Sequence, residues 1–335
     1  MVKAKIAVNG YGTIGKRVAD AVRAQEDMEV IGIFKTKPNY EAAVANQLGY
    51  DIYAPAEDIE AFEKAGIPLA GTIREMIGKA DLVVDGTPGG IGEKNKPLYE
   101  KAGVKAIWQG GESHQLAGFS FNAVSNYDKA LGRDFVRVVS CNTTGLCRVI
   151  SPIDKELGIN KVRITIARRA VDPNDIKKGP VNAIVLHPVT LPSHHGPDVK
   201  SVLPNINITS AALIVPTTLM HLHTVNMEVN TDCTTEDIKK IFGSQSRIRF
   251  VGQGITSTAE IIEVARDIKR PRNDMWENCI WPESITVNEK ELYFFQAIHQ
   301  ESIVVPENVD AIRAMMELES DSAKSIEKTN KAIGL

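Results

Sequence analysis

Several features are missing from this chain of 335 residues, and each absence argues against a class of protein. No apolar run approaches the roughly 18 residues of a membrane-spanning helix, so no membrane partner is expected. Charge of one sign is not in excess: 39 basic against 42 acidic residues leave a net charge of −3, with no global pull toward nucleic acid. Cysteine is sparse. The four present (Cys141, Cys147, Cys233 and Cys279) form neither a metal-type spacing nor a dense disulfide framework. On a shared helix Cys141 and Cys147 would lie about 240° apart, a poor geometry for pairing. There is no internal repeat or low-complexity tract. The start of the chain moves straight into a strand-like run, Lys5-Ile6-Ala7-Val8, without a secretory apolar region, and a cytoplasmic protein is expected.

What is there is a composition of 43% hydrophobic and 24% charged residues, that of a globular protein long enough for two domains. Lys5 to Asn9 leads at once into Gly10-Tyr11-Gly12-Thr13-Ile14-Gly15, and Val18, Ala19, Ala21 and Val22 then mark the apolar face of a helix. A second strand, 29–34, completes the βαβ unit that a GxGxxG motif requires. The glycines allow a tight turn and bring a pyrophosphate to the helix N-terminus, where N–H groups and the helix dipole receive it. Gly10, Gly12, Thr13, Ile14 and Gly15 are therefore cofactor-binding candidates. The second strand ends in Lys35-Thr36-Lys37, with no carboxylate before Glu41. An NAD site usually places Asp or Glu there, whereas a 2′-phosphate needs cations. Lys35 and Lys37 thus favour NADP or tolerance of both cofactors; the alternative is a pair of solvated loop lysines.

Alternating elements continue, with helical stretches at 40–48, 59–65 and 73–77 and strands at 80–85 and 106–108. The strands end in Gly86-Thr87 and Gln109-Gly110-Gly111. In a doubly wound sheet ligands bind at the carboxyl ends of the strands, which puts Thr87 and Gly111 on the cofactor side. Plain turn glycines would look the same.

The stretch Val138-Val139-Ser140-Cys141-Asn142-Thr143-Thr144-Gly145 runs from a short strand into a helix-forming segment, 146–153. A thiol at such a corner lies near free backbone N–H groups and a positive helix end, both of which favour thiolate. Lowering its pKa from ~8.5 to ~6 raises the thiolate share at pH 7 about 30-fold. Cys141 is the candidate nucleophile, although a buried structural thiol is the alternative. Beyond it the texture changes: strand candidates at 162–171, 183–186, 206–208, 211–215 and 224–229 with few helices between them predict an antiparallel, α+β second domain. A loop-like segment, 172–201, is rich in Pro, Gly, Lys and His, and a loop of that length is usually functional. A single helix is expected from about 307 to 333.

With the glycine motif, the Ser140-Cys141-Asn142-Thr143-Thr144-Gly145 corner and the antiparallel second half in view, the chain resembles the glyceraldehyde-3-phosphate dehydrogenases, in particular their archaeal branch. The likeness extends to Pro192-Ser193-His194-His195-Gly196-Pro197, Pro216-Thr217-Thr218-Leu219-Met220-His221 and His299-Gln300-Glu301-Ser302. Where bacterial and eukaryotic members follow the nucleophile with Thr-Thr-Asn-Cys, this chain has Asn142-Thr143-Thr144-Gly145, so their second catalytic histidine has no counterpart by position. The resemblance implies an N-terminal Rossmann domain, a mostly parallel doubly wound sheet, formed by 1–140 with a returning C-terminal 303–335. A catalytic domain on a largely antiparallel sheet then covers 141–302. It also implies oxidation of D-glyceraldehyde 3-phosphate with inorganic phosphate to 1,3-bisphosphoglycerate, through a Cys141 thioester, with NADP or NAD, in a homotetramer.

On this reading His221 is the base, because imidazole titrates near the working pH. Ser140 and Asn142 flank the nucleophile; His194, His195 and Gly196 contact the substrate; Arg169 and Gln300 serve the cofactor, Gln300 at the nicotinamide carboxamide. Arg168 and Arg169 are equally readable as a solvated pair. Aspartate-semialdehyde dehydrogenase and acylglutamyl-phosphate reductase share the Rossmann start and a thioester cysteine, but the His-His-Gly segment and Pro-Thr-Thr-Leu-Met-His speak against them. A metal-dependent hydrolase, with His221 and His223 on one strand face and His194, His195 or Cys233 as further ligands, leaves the glycine motif without a role. No metal is expected.

Overall fold

In a computed structural model, residues 3–172 and 179–335 are described. The chain separates into two compact units, Met1–Ser140 with Val305–Leu335, and Cys141–Val304.

The first unit is built on eight strands: β1 (Ala4–Asn9), β2 (Met28–Phe34), β3 (Ile52–Ala54), β4 (Gly71–Thr72), β5 (Leu82–Asp85), β6 (Lys105–Trp108), β7 (Ser120–Phe121) and β8 (Phe135–Val138). They form one sheet in the order β4-β3-β2-β1-β5-β6-β8-β7, every pairing parallel. Ile6, Ala7, Val8, Leu82, Val83 and Val84 are wholly buried, as expected of central strands covered on both faces. The order reverses between β1 and β5, and the Gly10–Gly15 turn leaves the carboxyl end of β1 at that switch point, where a doubly wound sheet takes its ligand. The expected single C-terminal helix is two, Val305–Met315 and Ser322–Ile333. Glu317 adopts a φ of 53° that a helix cannot continue, and the Asp321 side chain caps the second helix by accepting from the Lys324 N–H.

The second unit carries β9 (Ile159–Arg169), β10 (Val185–Leu186), β11 (Ile208–Val215), β12 (His221–Val229), β13 (Ile248–Phe250), β14 (Asn278–Ile280), β15 (Thr286–Asn288) and β16 (Glu291–Ile298). Their order is β10-β11-β9-β12-β16-β14-β13, with β15 beside β16. The sheet is mixed, because β11 and β9, and β13 and β14, run parallel while the remaining pairs are antiparallel. The expected strands at 206–208 and 211–215 are one strand, β11. Within the segment read as a loop, a short helix, His195–Lys200, is present, while 173–178 lies outside the described residues. The helix Cys141–Leu157 lies on this sheet. Gly145 permits the approach: a Cβ there would stand 2.4 Å from Ile298 Cδ1. Among the described residues no helix is long and apolar enough to cross a membrane.

Candidate active site

The glycine turn is shaped for a phosphate. Gly10 takes a φ of +97°, and a Cβ on it would meet the Gly86 backbone at 2.9 Å; one on Gly15 would lie 1.8 Å from the Gly10 carbonyl oxygen. Gly12 differs, since a Cβ there meets nothing within 4 Å. It faces open space in front of the helix Thr13–Arg23, whose N-cap makes no side-chain hydrogen bond, so the first-turn N–H groups are left for an anion. Thr87 is fixed by Asp85, which accepts its N–H at 3.0 Å; Asp85 also accepts from Tyr99 and Asn95. Gly110 is required by close packing, a Cβ on it falling 2.2 Å from the Ser140 nitrogen, whereas Gly111 is open. These residues fit a dinucleotide.

At the end of β2 the structure adds a carboxylate. Glu41, in the first turn of the helix Tyr40–Gln47, pairs with Lys35 at 2.8 Å and with Lys16 at 2.9 Å. Burial acts to raise its pKa, but the two lysines outweigh that and hold it below the ordinary value. Lys37 is exposed.

Cys141 is the first residue of its helix, and the Asn142 backbone N–H donates to its sulfur. The expected depression of its pKa is not what the surroundings produce. Burial pushes the thiol up to about 11, and the nearby Arg168 and Arg169 only moderate the rise. The helix dipole and the hydrogen bond are thus outweighed by desolvation in the free protein.

Asn142 anchors the nucleophile's turn to a buried polar chain. Its Nδ2 lies 3.3 Å from His195 Nε2, and its Oδ1 lies 2.8 Å from His223 Nε2. His195 Nδ1 meets Ser193 Oγ at 3.1 Å, and Ser193 Oγ meets Ser210 Oγ at 2.8 Å. On the other side Gln296 Nε2 reaches His223 Nδ1 at 3.1 Å, and Asn278 Nδ2 reaches both Gln296 Oε1 at 2.9 Å and the Gly145 carbonyl at 2.6 Å. An amide NH2 can only donate, and this fixes the direction of every link. Asn142 and Gln296 donate to ring nitrogens, so His195 carries its hydrogen on Nδ1 and His223 on Nε2. Both rings are neutral, burial depressing His195 to about 2 and His223 to about 3. His195 therefore has both ring nitrogens engaged inside the protein. The residue expected to contact substrate thus holds Asn142 and Ser193 with its ring. Gly196 likewise spends its N–H on Ser210 Oγ, at 2.8 Å.

His221 is wholly buried, and its pKa is driven well below 6.5, by burial first and then by Arg168 and Arg169. Its Nδ1 accepts the Arg169 backbone N–H at 2.9 Å. A neutral ring with Nδ1 as acceptor carries its hydrogen on Nε2, and Nε2 has no partner among the described residues. The expected base is therefore, at rest, a hydrogen-bond donor with its lone pair already engaged.

The two adjacent arginines have opposite surroundings. Arg169 is spent internally: Nε donates to Gln300 Oε1 at 2.6 Å, Nη1 to the Thr218 carbonyl at 3.2 Å, Nη1 pairs with Glu301 at 2.8 Å, and Nη2 with Asp172. Four of its five N–H donors are thus engaged inside the second unit, at a residue expected to serve the cofactor. Arg168 meets His187 Nδ1 through Nη1 at 2.8 Å and has no carboxylate partner among the described residues. His194 stacks on His195 at 4.0 Å and stands edge-on to His187 at 5.8 Å. Arg168, His187 and His194 thus lie together in one cluster.

In the first unit Gly10, Gly12, Thr13, Ile14, Gly15, Lys35 and Thr87 gather at the carboxyl ends of β1, β2 and β5; in the second, Cys141, Asn142, His195 and His221 share one buried region. Sequence reasoning missed Arg168 as the open arginine, and also His187, Ser193, Gln296 and Asn278. Gln296 had a signal: it lies on the inward face of β16, opposite His223 across the register, where the alternation calls for an apolar residue. Among the described residues no group of three or more side chains is placed to hold a metal ion.

Residues 140–287 match the family described as "Glyceraldehyde 3-phosphate dehydrogenase, C-terminal domain". Residues 4–110 match "Dihydrodipicolinate reductase, N-terminus". The chain is 85% identical, over all of both proteins, to "Glyceraldehyde-3-phosphate dehydrogenase 1" of Methanosarcina acetivorans. It is 83% identical, again over both full lengths, to "Glyceraldehyde-3-phosphate dehydrogenase" of Methanosarcina mazei. Identity to the enzyme of that name from Methanobrevibacter smithii is 56%, covering 98% of this chain and 99% of that one. With a glycine turn shaped for a dinucleotide and a cysteine at a helix start, and with these identities over its whole length, the chain belongs to the glyceraldehyde-3-phosphate dehydrogenase family of NAD(P)-dependent oxidoreductases.

Proposed function

We propose that the protein catalyses the reversible oxidation of D-glyceraldehyde 3-phosphate and inorganic phosphate to 1,3-bisphosphoglycerate. The observation that carries this reading is that Cys141 and His221 lie in the field of the same two arginines, with the His221 Nε2–H free to donate.

The Cys141 thiol gives up its proton to solvent, and the sulfur adds to the aldehyde carbon. The electron pair moves to oxygen, and His221 Nε2–H holds the resulting alkoxide as an oxyanion donor. The carbon then loses its hydride and the alkoxide collapses to a thioester, so no base is needed at that step. A bound oxidised nicotinamide supplies the hydride acceptor. Phosphate oxygen attacks the thioester carbon and expels the Cys141 thiolate, with one proton released overall. Arg168, His187 and His194 receive a phosphate group, and an arriving dianion favours the charged form of both histidines. Asn142 holds the nucleophile's turn through His195 and His223.

Both NADP and NAD serve as cofactor on this reading, with the adenosine ribose at Lys35. A homotetramer is supported by exposed apolar side chains in the second unit, among them Val181, Ile184, Leu186, Val189, Leu191 and Phe295. Size-exclusion chromatography with light scattering tests it, and a monomer would overturn it. The activity is tested by mixing the protein with glyceraldehyde 3-phosphate and either cofactor, with and without phosphate, and following reduced cofactor. Phosphate-dependent reduction is expected. Reduction indifferent to phosphate would indicate a non-phosphorylating aldehyde dehydrogenase, and no reduction would restore the semialdehyde substrates.

A further inference from the structure

The cluster at the end of β2 is electrostatically unfinished. Lys16 and Lys35 share the one carboxylate of Glu41, with side-chain exposures of 16 and 12% against 11% for Glu41. With a single carboxylate between two mostly desolvated ammonium groups, the cluster carries about one net positive charge where the lysines alone would carry two. Lys35 is the residue that follows β2, where a doubly wound fold meets the adenosine ribose. Lys16 comes from the helix that starts at the glycine turn, and exposed Lys37 lies two residues beyond Lys35. Glu41 itself is fixed by its helix, whose N-cap Asn39 accepts the Ala42 N–H at 3.3 Å.

We propose that Glu41 sets the cofactor selectivity of this enzyme: its carboxylate competes with the 2′-phosphate of NADP for Lys16 and Lys35, which holds NADP affinity down and keeps NAD in use. A 2′-phosphate dianion entering the cluster must displace Glu41 from the ammonium groups or bind beside a like charge; both oppose it. A 2′-hydroxyl makes no claim on the lysines and leaves the cluster as it is. Glu41 is in this sense a specificity residue acting through Lys16 and Lys35. The proposal rests on the reading of the chain as an enzyme that accepts either dinucleotide.

The test is calorimetric titration of the full-length, cofactor-free protein with NADP, NAD, adenosine 2′-monophosphate and adenosine 5′-monophosphate, with no turnover involved. Glu41→Gln is expected to tighten NADP and adenosine 2′-monophosphate about 10-fold, and to change NAD and adenosine 5′-monophosphate less than about 2-fold. Lys16→Met, which leaves Lys35 paired with Glu41, is expected to weaken NADP about 10-fold with NAD nearly unchanged. It provides an independent reading should Glu41→Gln fold poorly. Weaker NADP binding in Glu41→Gln would overturn the proposal, because Glu41 would then merely position the lysines. Selective loss of NAD would also overturn it, making Glu41 the partner of the ribose hydroxyl. If the unmodified protein binds neither dinucleotide, the failure lies with the cofactor reading, and that result is distinct from either of these.

Discussion

Two helix N-termini of this protein are made in opposite ways. The helix Thr13–Arg23 begins at an open glycine with no side-chain cap, so what it presents is backbone. The helix Cys141–Leu157 begins at the candidate nucleophile, and its next residues are buried, with Asn142 tied to two histidines. A backbone site needs only small residues at fixed spacing, and it tolerates any neighbours that leave it open. A side-chain site depends on partners from β12, β14, β16 and the 193–210 region, each of which must be present and correctly hydrogen-bonded.

Cys141→Ser tests the side-chain end most severely. Phosphate-dependent cofactor reduction is expected to fall at least about 10⁴-fold, with NADP binding and melting temperature unchanged. A residual rate within about 10-fold of the original would remove the thioester from the mechanism.

At the backbone end two alanines separate shape from function. Gly15→Ala places a Cβ where the Gly10 carbonyl stands, and the first unit is expected to lose its fold or all dinucleotide affinity. Gly12→Ala meets no protein atom, so the melting temperature should hold while the dinucleotide dissociation constant rises about 10²-fold, because the methyl occupies the pyrophosphate's place. Calorimetry on both decides. Unchanged binding in Gly12→Ala would mean that the open face is not the phosphate's.

The neighbouring arginines sharpen the contrast within the second unit. Arg169→Met leaves the buried Glu301 with His299 alone and is expected to cost about 3 kcal/mol of stability in denaturant titrations. Arg168→Met should leave stability nearly intact and raise KM for glyceraldehyde 3-phosphate or phosphate about 10²-fold. If both variants are destabilised alike, Arg168 is structural.

The neutral histidines give a pH signature. His195 and His223 have folded pKa values depressed to about 2 and about 3, whereas an unfolded histidine titrates near 6.5. Below 6.5 the unfolded state binds more protons than the folded one, so this contribution to stability is complete above that pH. It declines by roughly 1.4 kcal/mol per pH unit for each histidine as pH falls toward 3. Denaturant melts between pH 7 and pH 5 should show the decline in the native protein. Replacing His223 by Asn should lessen it by one histidine's share, and an identical slope in that variant would count against a neutral buried His223.

The smallest effect concerns the raised thiol. With Cys141 pushed up to about 11, alkylation of the free protein should be slow at pH 7 and accelerate about 10-fold per pH unit through pH 9. A plateau by pH 7 would indicate that the helix dipole and arginines prevail over burial after all.

The glycine spacing, the flanking apolar runs and the change of texture after Cys141 determined the first unit's fold and the cofactor class. These are local signals: a tight turn, a strand and an amphipathic helix each need only their own residues. The sequence also pointed to His221 and Lys35 but could not give their state, because tautomer and charge depend on which group lies opposite. The Arg169 N–H, 52 residues from His221, fixes where its proton sits, and Glu41 changes what Lys35 offers. Two identical residues, Arg168 and Arg169, differ only in which face of β9 they occupy. Alternation along the strand sends one to Glu301 and Gln300 and the other to His187. No spacing encodes that choice; it was decided by burial and by hydrogen-bond partners that only the folded chain brings together.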